Sequence, residues 1–112
     1  MGKRKLPVQK SESELQTDMI KYLQSKKIYN ININPGRFMR AGIPDLICCV
    51  KGLFVAIEIK RPDGKGVTSA LQEINIEQIK KSGGIAVVMD NYIEFTKFVD
   101  KLLECEVIKQ WN

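Results

Sequence analysis

The residues best suited to chemistry are Gly42-Ile43-Pro44-Asp45 and, after twelve intervening residues, Glu58-Ile59-Lys60. An acid opens one apolar run, and an acid and a lysine sit two apart near the end of the next. Strand side chains alternate between faces, so Glu58 and Lys60 project to one side while Val55, Ile57 and Ile59 line the other. At the end of a run as apolar as Leu53-Phe54-Val55-Ala56-Ile57, a charged pair makes a poor core and a good ion site. Asp45, Glu58 and the Ile59 carbonyl offer the hard oxygen ligands that Mg²⁺ or Mn²⁺ prefers. Lys60 adds a point charge able to position a nucleophile or offset a developing anion. The chemistry such a set supports is metal-assisted hydrolysis of a phosphodiester.

Composition narrows the choice. The 112 residues include no histidine, which excludes histidine-ligated zinc hydrolases, Ser-His-Asp triads and every nuclease chemistry that uses a histidine base. What remains is carboxylates, lysines and a metal. Cys48, Cys49 and Cys105 are odd in number, and adjacent strand cysteines face opposite ways. They read as small apolar residues of a reducing compartment, with Cys48 and Cys49 in the core. The net charge of +5 is unevenly spread: residues 1–66 hold 13 Lys/Arg against 6 Asp/Glu, whereas residues 67–112 hold 5 against 7. The candidate site therefore lies in a basic half, as a polyanionic substrate requires. No apolar run is long enough to span a bilayer, and the basic start leads into no apolar stretch of a signal peptide. A cytoplasmic protein is expected, or a nuclear one in a eukaryote, with no membrane partner.

The elements that must hold these residues follow from periodicity. Residues 1–10 form a flexible basic arm, and 11–112 form one domain. Leu15, Met19, Tyr22 and Leu23 space a helix over about 11–27. Residues 28–33 alternate apolar and polar, predicting a strand with one wet face. Residues 45–50 and 53–60 form a hairpin about Lys51-Gly52. A second helix starts from Thr68 or Ser69, turns Leu71, Ile74, Asn75, Gln78 and Ile79 to one side, and stops at Gly83-Gly84. The wholly apolar Ile85–Met89 predicts a parallel strand buried on both faces. Asn91-x-x-Glu94 caps a last helix with Phe95, Phe98, Val99, Leu102 and Leu103. The order is αβββαβα, an α/β layer.

With that order, Pro44-Asp45 as the PD element and Glu58-Ile59-Lys60 as the ExK element, the chain resembles the PD-(D/E)XK nuclease superfamily, and within it a stand-alone VRR-NUC domain. The resemblance covers about residues 11–90. It implies an αβββαβ restriction-endonuclease-like core, a mixed central sheet flanked by helices, with the last helix as an extra. It also implies roles for two further positions it matches. Glu14 on the first helix would assist catalysis or a metal, directly or through water, and Gln72 on the second would orient Lys60 or a bound water. Both have plainer explanations. Ser11-x-x-Glu14 is a capping box by itself, although a box at Ser13-x-x-Gln16 would free Glu14, and Gln72 could be an ordinary helix residue. Arg37, Arg40 and Lys65 flank the site in loops, where cations are either solvated or set against phosphates. Gly64-Lys65-Gly66 lacks the spacing of a nucleotide-binding loop.

The expectation is thus a Mg²⁺- or Mn²⁺-dependent endonuclease acting on DNA. Branched DNA such as a four-way junction is the expected substrate, and flaps or linear duplex are the alternatives. A non-catalytic nucleic-acid-binding module of the same fold is the rival from another class. Small stand-alone members of the resembling family are typically dimers on four-way junctions, and the apolar surplus of the last helix with Tyr92, Val107, Ile108 and Trp111 suits a homodimer.

Overall fold

The computed structural model describes residues 10–33 and 41–105. Most of the expected basic arm, the loop with Arg37 and Arg40, and Val107, Ile108 and Trp111 lie outside the described residues. Seven elements follow in the expected order: α1 (Glu12–Ser25), β1 (Asn30–Asn32), β2 (Leu46–Val50), β3 (Leu53–Ile59), α2 (Ala70–Lys81), β4 (Ile85–Met89) and α3 (Tyr92–Leu103). The strands form one mixed sheet in the order β1-β2-β3-β4. β1 to β3 are antiparallel neighbours and β4 runs parallel to β3, as the intervening α2 crossover requires.

One face of the sheet is thickly covered. Ser11 caps α1 by accepting the Glu14 N–H at 3.1 Å, and Leu15, Met19 and Leu23 then recur on one buried stripe. Asn91 caps α3 by accepting the Glu94 N–H, which aims Phe95, Val99 and Leu102 at the same layer. Both helices pack on Leu46, Cys48, Val50, Val55, Ile57 and Ile59, joined by Ile85, Val87 and Met89 of β4. The Tyr22 hydroxyl donates to the Asp100 carboxylate and links the two helices. Burying each large side chain here contributes about 1.5–3 kcal/mol.

The other face is thin. Only Ala56, Ile76 and Ala86 are buried in its cluster, with Ile47 and Ile79 packed beside them. The two alanines let α2 come close, and Ile76 and Ile79 make the contact, so α2 is turned from its expected orientation: Leu71 and Ile74 stay about half exposed. α2 lies along β4 and does not reach β1. Cys49, expected in the core, is consequently exposed, because strand alternation puts it opposite buried Cys48 on the uncovered side. For the same reason Ile31 of β1 faces out while Asn30 is half-buried. Val88 is also exposed, so β4 is an edge strand and not one buried on both faces. The apolar face of α3 is taken up by its own sheet, which removes it as the expected source of surplus surface; Tyr92 and Ile93 remain exposed.

Candidate active site

The site forms where β2 begins and β3 ends, on the thin face beneath the start of α2. Gly42 makes the approach possible. Its φ is +86°, and a Cβ there would lie 2.6 Å from the Leu71 carbonyl carbon and oxygen, so no other residue lets the loop press against α2. Pro44-Asp45 follows at once. The Asp45 carboxylate accepts the Ile59 N–H at 2.8 Å and so joins the first residue before β2 to the last of β3. N–H and C=O of a strand residue point to the same edge, so the Ile59 carbonyl opens toward Asp45 as well.

Glu58 lies across from Asp45 and is only 3% exposed. Its Oε1 accepts the Gln72 amide at 2.6 Å, and the Gln72 Oε1 in turn accepts Lys60 Nζ at 2.8 Å. The same Gln72 oxygen accepts the Ser69 N–H at 2.9 Å, completing a reciprocal capping box at the start of α2. Lys60 Nζ stands 3.7 Å from Glu58 Oε1. Its stem is packed so closely on Gly66 that a Cβ on the glycine would sit 2.9 Å from that of Lys60. One amide thus sets the positions of the acid and the base.

Glu58 Oε2 is buried and has no hydrogen-bond partner among the described residues. An orphaned carboxylate oxygen is costly, and the protein relieves the cost by pushing the Glu58 carboxyl up to about 8. Burial is the largest cause, followed by hydrogen-bonding proximity to Asp45 and its like charge; Lys60 opposes the rise, and Glu12 adds to it. Two facing carboxylates have no proton to share unless one takes it up, and a cation answers the same need. No group of three or more His, Cys, Asp or Glu side chains gathers as a metal site among the described residues. Mg²⁺ does not require one, because it binds through one or two carboxylates, with waters and substrate phosphate completing its shell. Asp45, the orphaned Glu58 oxygen and the Ile59 carbonyl fit that ion.

The structure brings Asp45, Glu58, Ile59, Lys60 and Gln72 together. Glu14 is not among them. Its carboxylate accepts the Ser11 hydroxyl at 3.3 Å and acts on Lys10, while the helix carboxylate whose charge reaches Glu58 is Glu12. Glu12 lines a hollow of about 360 Å³ with Ser11, Arg61 and Asp63 beside the site. It was missed because Ser11-x-x-Glu14 draws attention to the third helical residue; once Ser11 is the cap, the first helical residue lies about 200° around the helix from it. Lys65 is exposed, its N–H donating to Asp63, and Arg61 pairs with Asp63 at 3.7 Å. Arg37 and Arg40 lie outside the described residues.

No family model and no curated protein matches the chain. It is similar to a solved structure, a VRR_NUC domain protein, with 27% identity and a TM-score of 0.70 over 85% of this chain and 92% of that one. This shared fold, with Pro44-Asp45 and Glu58-Ile59-Lys60 at its strand ends, supports the resemblance to a VRR-NUC domain protein.

Proposed function

We propose that the chain is a Mg²⁺- or Mn²⁺-dependent endonuclease that hydrolyses DNA phosphodiesters, acting as a homodimer at branched DNA such as four-way junctions. The observation that supports it best is the partnerless, buried Glu58 oxygen facing Asp45. Asp45, Glu58 and the Ile59 carbonyl would hold the ion. A divalent ion held there would supply Lewis-acid polarisation of the scissile phosphate and a more acidic water. Gln72 keeps Glu58 aligned and Lys60 extended, so Lys60 Nζ is set to orient the attacking water or offset charge gathering on the phosphate. Glu12, rather than Glu14, is the first-helix carboxylate whose charge reaches Glu58, and it would hold a water there. Arg61 and Lys65, with Arg37 and Arg40, would receive flanking phosphates. A junction needs two coordinated nicks, and a two-fold pair supplies two equivalent sites.

The test is cleavage of a panel of duplex, flap, splayed and four-way junction DNA by purified protein. Activity should require Mg²⁺ or Mn²⁺ and favour branched substrates, while Ca²⁺ should allow binding without turnover. Asp45→Asn, Glu58→Gln and Lys60→Ala should each lower the rate more than about 100-fold while binding persists. Glu12→Gln should reduce activity more than Glu14→Gln. Full activity in EDTA or in Asp45→Asn would overturn the mechanism, and tight binding without cleavage under any divalent ion would favour the non-catalytic module.

A further inference from the structure

Beside the carboxylates, between α2 and β2, the thin face holds a hollow of about 450 Å³ lined by Ile43, Pro44, Ile47, Phe54, Asn75 and Gln78 among others. We propose that this hollow is a subsite for an unpaired nucleobase of the DNA, with Phe54 as its stacking platform. The assignment rests on the nuclease reading and gives its substrate preference a physical source.

Position comes first. Pro44 adjoins Asp45, and Ile47 shares Asp45's face two residues on, about 7 Å away along the strand. Phe54 shares Glu58's face about 13 Å from it. A base from the nucleotide held at the carboxylates, or from one of its neighbours, can therefore reach the hollow. Shape and polarity come next. The volume falls in the range of small-ligand sites, and the walls are apolar with the amides of Asn75 and Gln78 and the hydroxyl of Ser82 along them. Among the described residues, no Lys, Arg, Asp or Glu lines it. The hollow thus suits the flat, neutral part of a nucleotide, while Lys60, Arg61 and Lys65 lie toward the other end of the site.

Phe54 itself is built as a platform. It is 47% exposed, which is unusual for a phenylalanine in the middle of a sheet. Its ring lies near Gly84, where a Cβ would come within 3.1 Å of Phe54 Cδ1, and about half of the residue is open to solvent. Bases stack on such rings whatever their sequence, because every base has a π-face. In a duplex each base is already paired and stacked, so filling the hollow would require extrusion. A branch point presents bases that cost far less to withdraw. Preference for branched DNA then follows without any reading of sequence.

The experiment measures binding in Ca²⁺, so that no turnover interferes, to a splayed DNA with 2-aminopurine at its first unpaired position and to a matched duplex. With wild-type protein, 2-aminopurine emission should change on binding the splayed DNA. Phe54→Leu, which keeps the site apolar but removes the ring, should abolish that change. It should also weaken splayed-DNA binding about 10- to 100-fold and leave duplex binding within about 2-fold. Gly84→Ala, whose methyl would press on Ile79 as well as on the ring, should fall between the two. An unchanged ratio of splayed to duplex affinity in Phe54→Leu would overturn the proposal. So would conversion of a DNA-free dimer to monomers by Phe54→Leu in light scattering, since the hollow would then be a contact between copies. If wild-type protein cuts no DNA in Mg²⁺, the nuclease reading fails separately, and the Ca²⁺ binding result still decides the subsite.

Discussion

The two faces of the sheet differ in nearly everything but their backbone. On the side of α1 and α3, thirteen residues form a continuous buried cluster, with Phe95, Met19, Leu23, Leu46, Ile57 and Ile59 almost wholly enclosed. On the side of α2, the buried apolar cluster among the described residues holds only three small or medium side chains, and Tyr29, Ile31, Phe54, Leu71 and Ile74 are about half exposed or more. The buried carboxylate belongs to the thin side. An orphaned oxygen is tolerable only where a proton or a ligand can reach it, and the thick side offers no such approach. The stability of the domain is therefore concentrated on one face, and this frees the other to carry an arrangement that is costly for folding and useful for chemistry.

The sharpest way to break this contrast is to exchange the aromatic residues of the two sides. Phe95→Ala should cost about 3–5 kcal/mol of stability by urea unfolding, the usual loss for emptying a packed aromatic site. Phe54→Ala, half exposed, should cost less than about 1 kcal/mol. Comparable losses would mean that the thin face contributes equally to the fold.

A smaller effect should come from Glu58. Its carboxyl ordinarily titrates near 4.5 and is pushed up to about 8 in the folded protein. The folded chain therefore binds more protons than the unfolded one between these values, so metal-free stability should fall as pH rises through that window and level off above 8. Thermal melts in EDTA should show the decline. Mg²⁺ should flatten it by replacing the proton, and Asp45→Asn should also flatten it by removing the facing charge. A melting temperature that rises with pH across this range would contradict the assignment.

The smallest effect is a rate difference between thiols. Cys48, on the thick side, is buried and its thiol is pushed up to about 11, chiefly by desolvation, so near pH 8 it stays protonated and enclosed. Cys49, one residue on and facing the thin side, and Cys105 are exposed. A thiol reagent should therefore modify two groups quickly and the third only on unfolding. Three fast thiols would show that the thick side opens readily.

Much of this was legible from the chain alone, and the parts that were not share one cause. Ser69 and Asn91 announced the starts of α2 and α3, Ile85–Met89 matched β4 residue for residue, and Asp45, Glu58 and Lys60 stood out against their apolar neighbours. These signals are local: caps, periodicity and charge out of context. What depended on coverage was not legible. Cys49 and Ile31 are apolar residues in ordinary strand alternation, and nothing in the chain says that α2 stops short of them. Likewise, Leu71 and Ile74 look like core until the close approach of Ala56 and Ala86 selects Ile76 and Ile79 instead. The choice between Glu12 and Glu14 turned on how the first helix is rotated against the sheet, which a helical spacing leaves open. Gln72 fell between the two kinds, since its spacing from Lys60 was visible but its three simultaneous partners were not.

Those three partners have a consequence for how the protein comes into being. The Gln72 amide closes the first turn of α2 and at the same moment spaces Glu58 from Lys60. Opening that turn and disarming the site are therefore a single event. A chain still emerging from the ribosome, or one whose second helix has melted, holds the right residues but cannot align them. For the nuclease proposed above, one side chain would thus make competence conditional on the fold being finished.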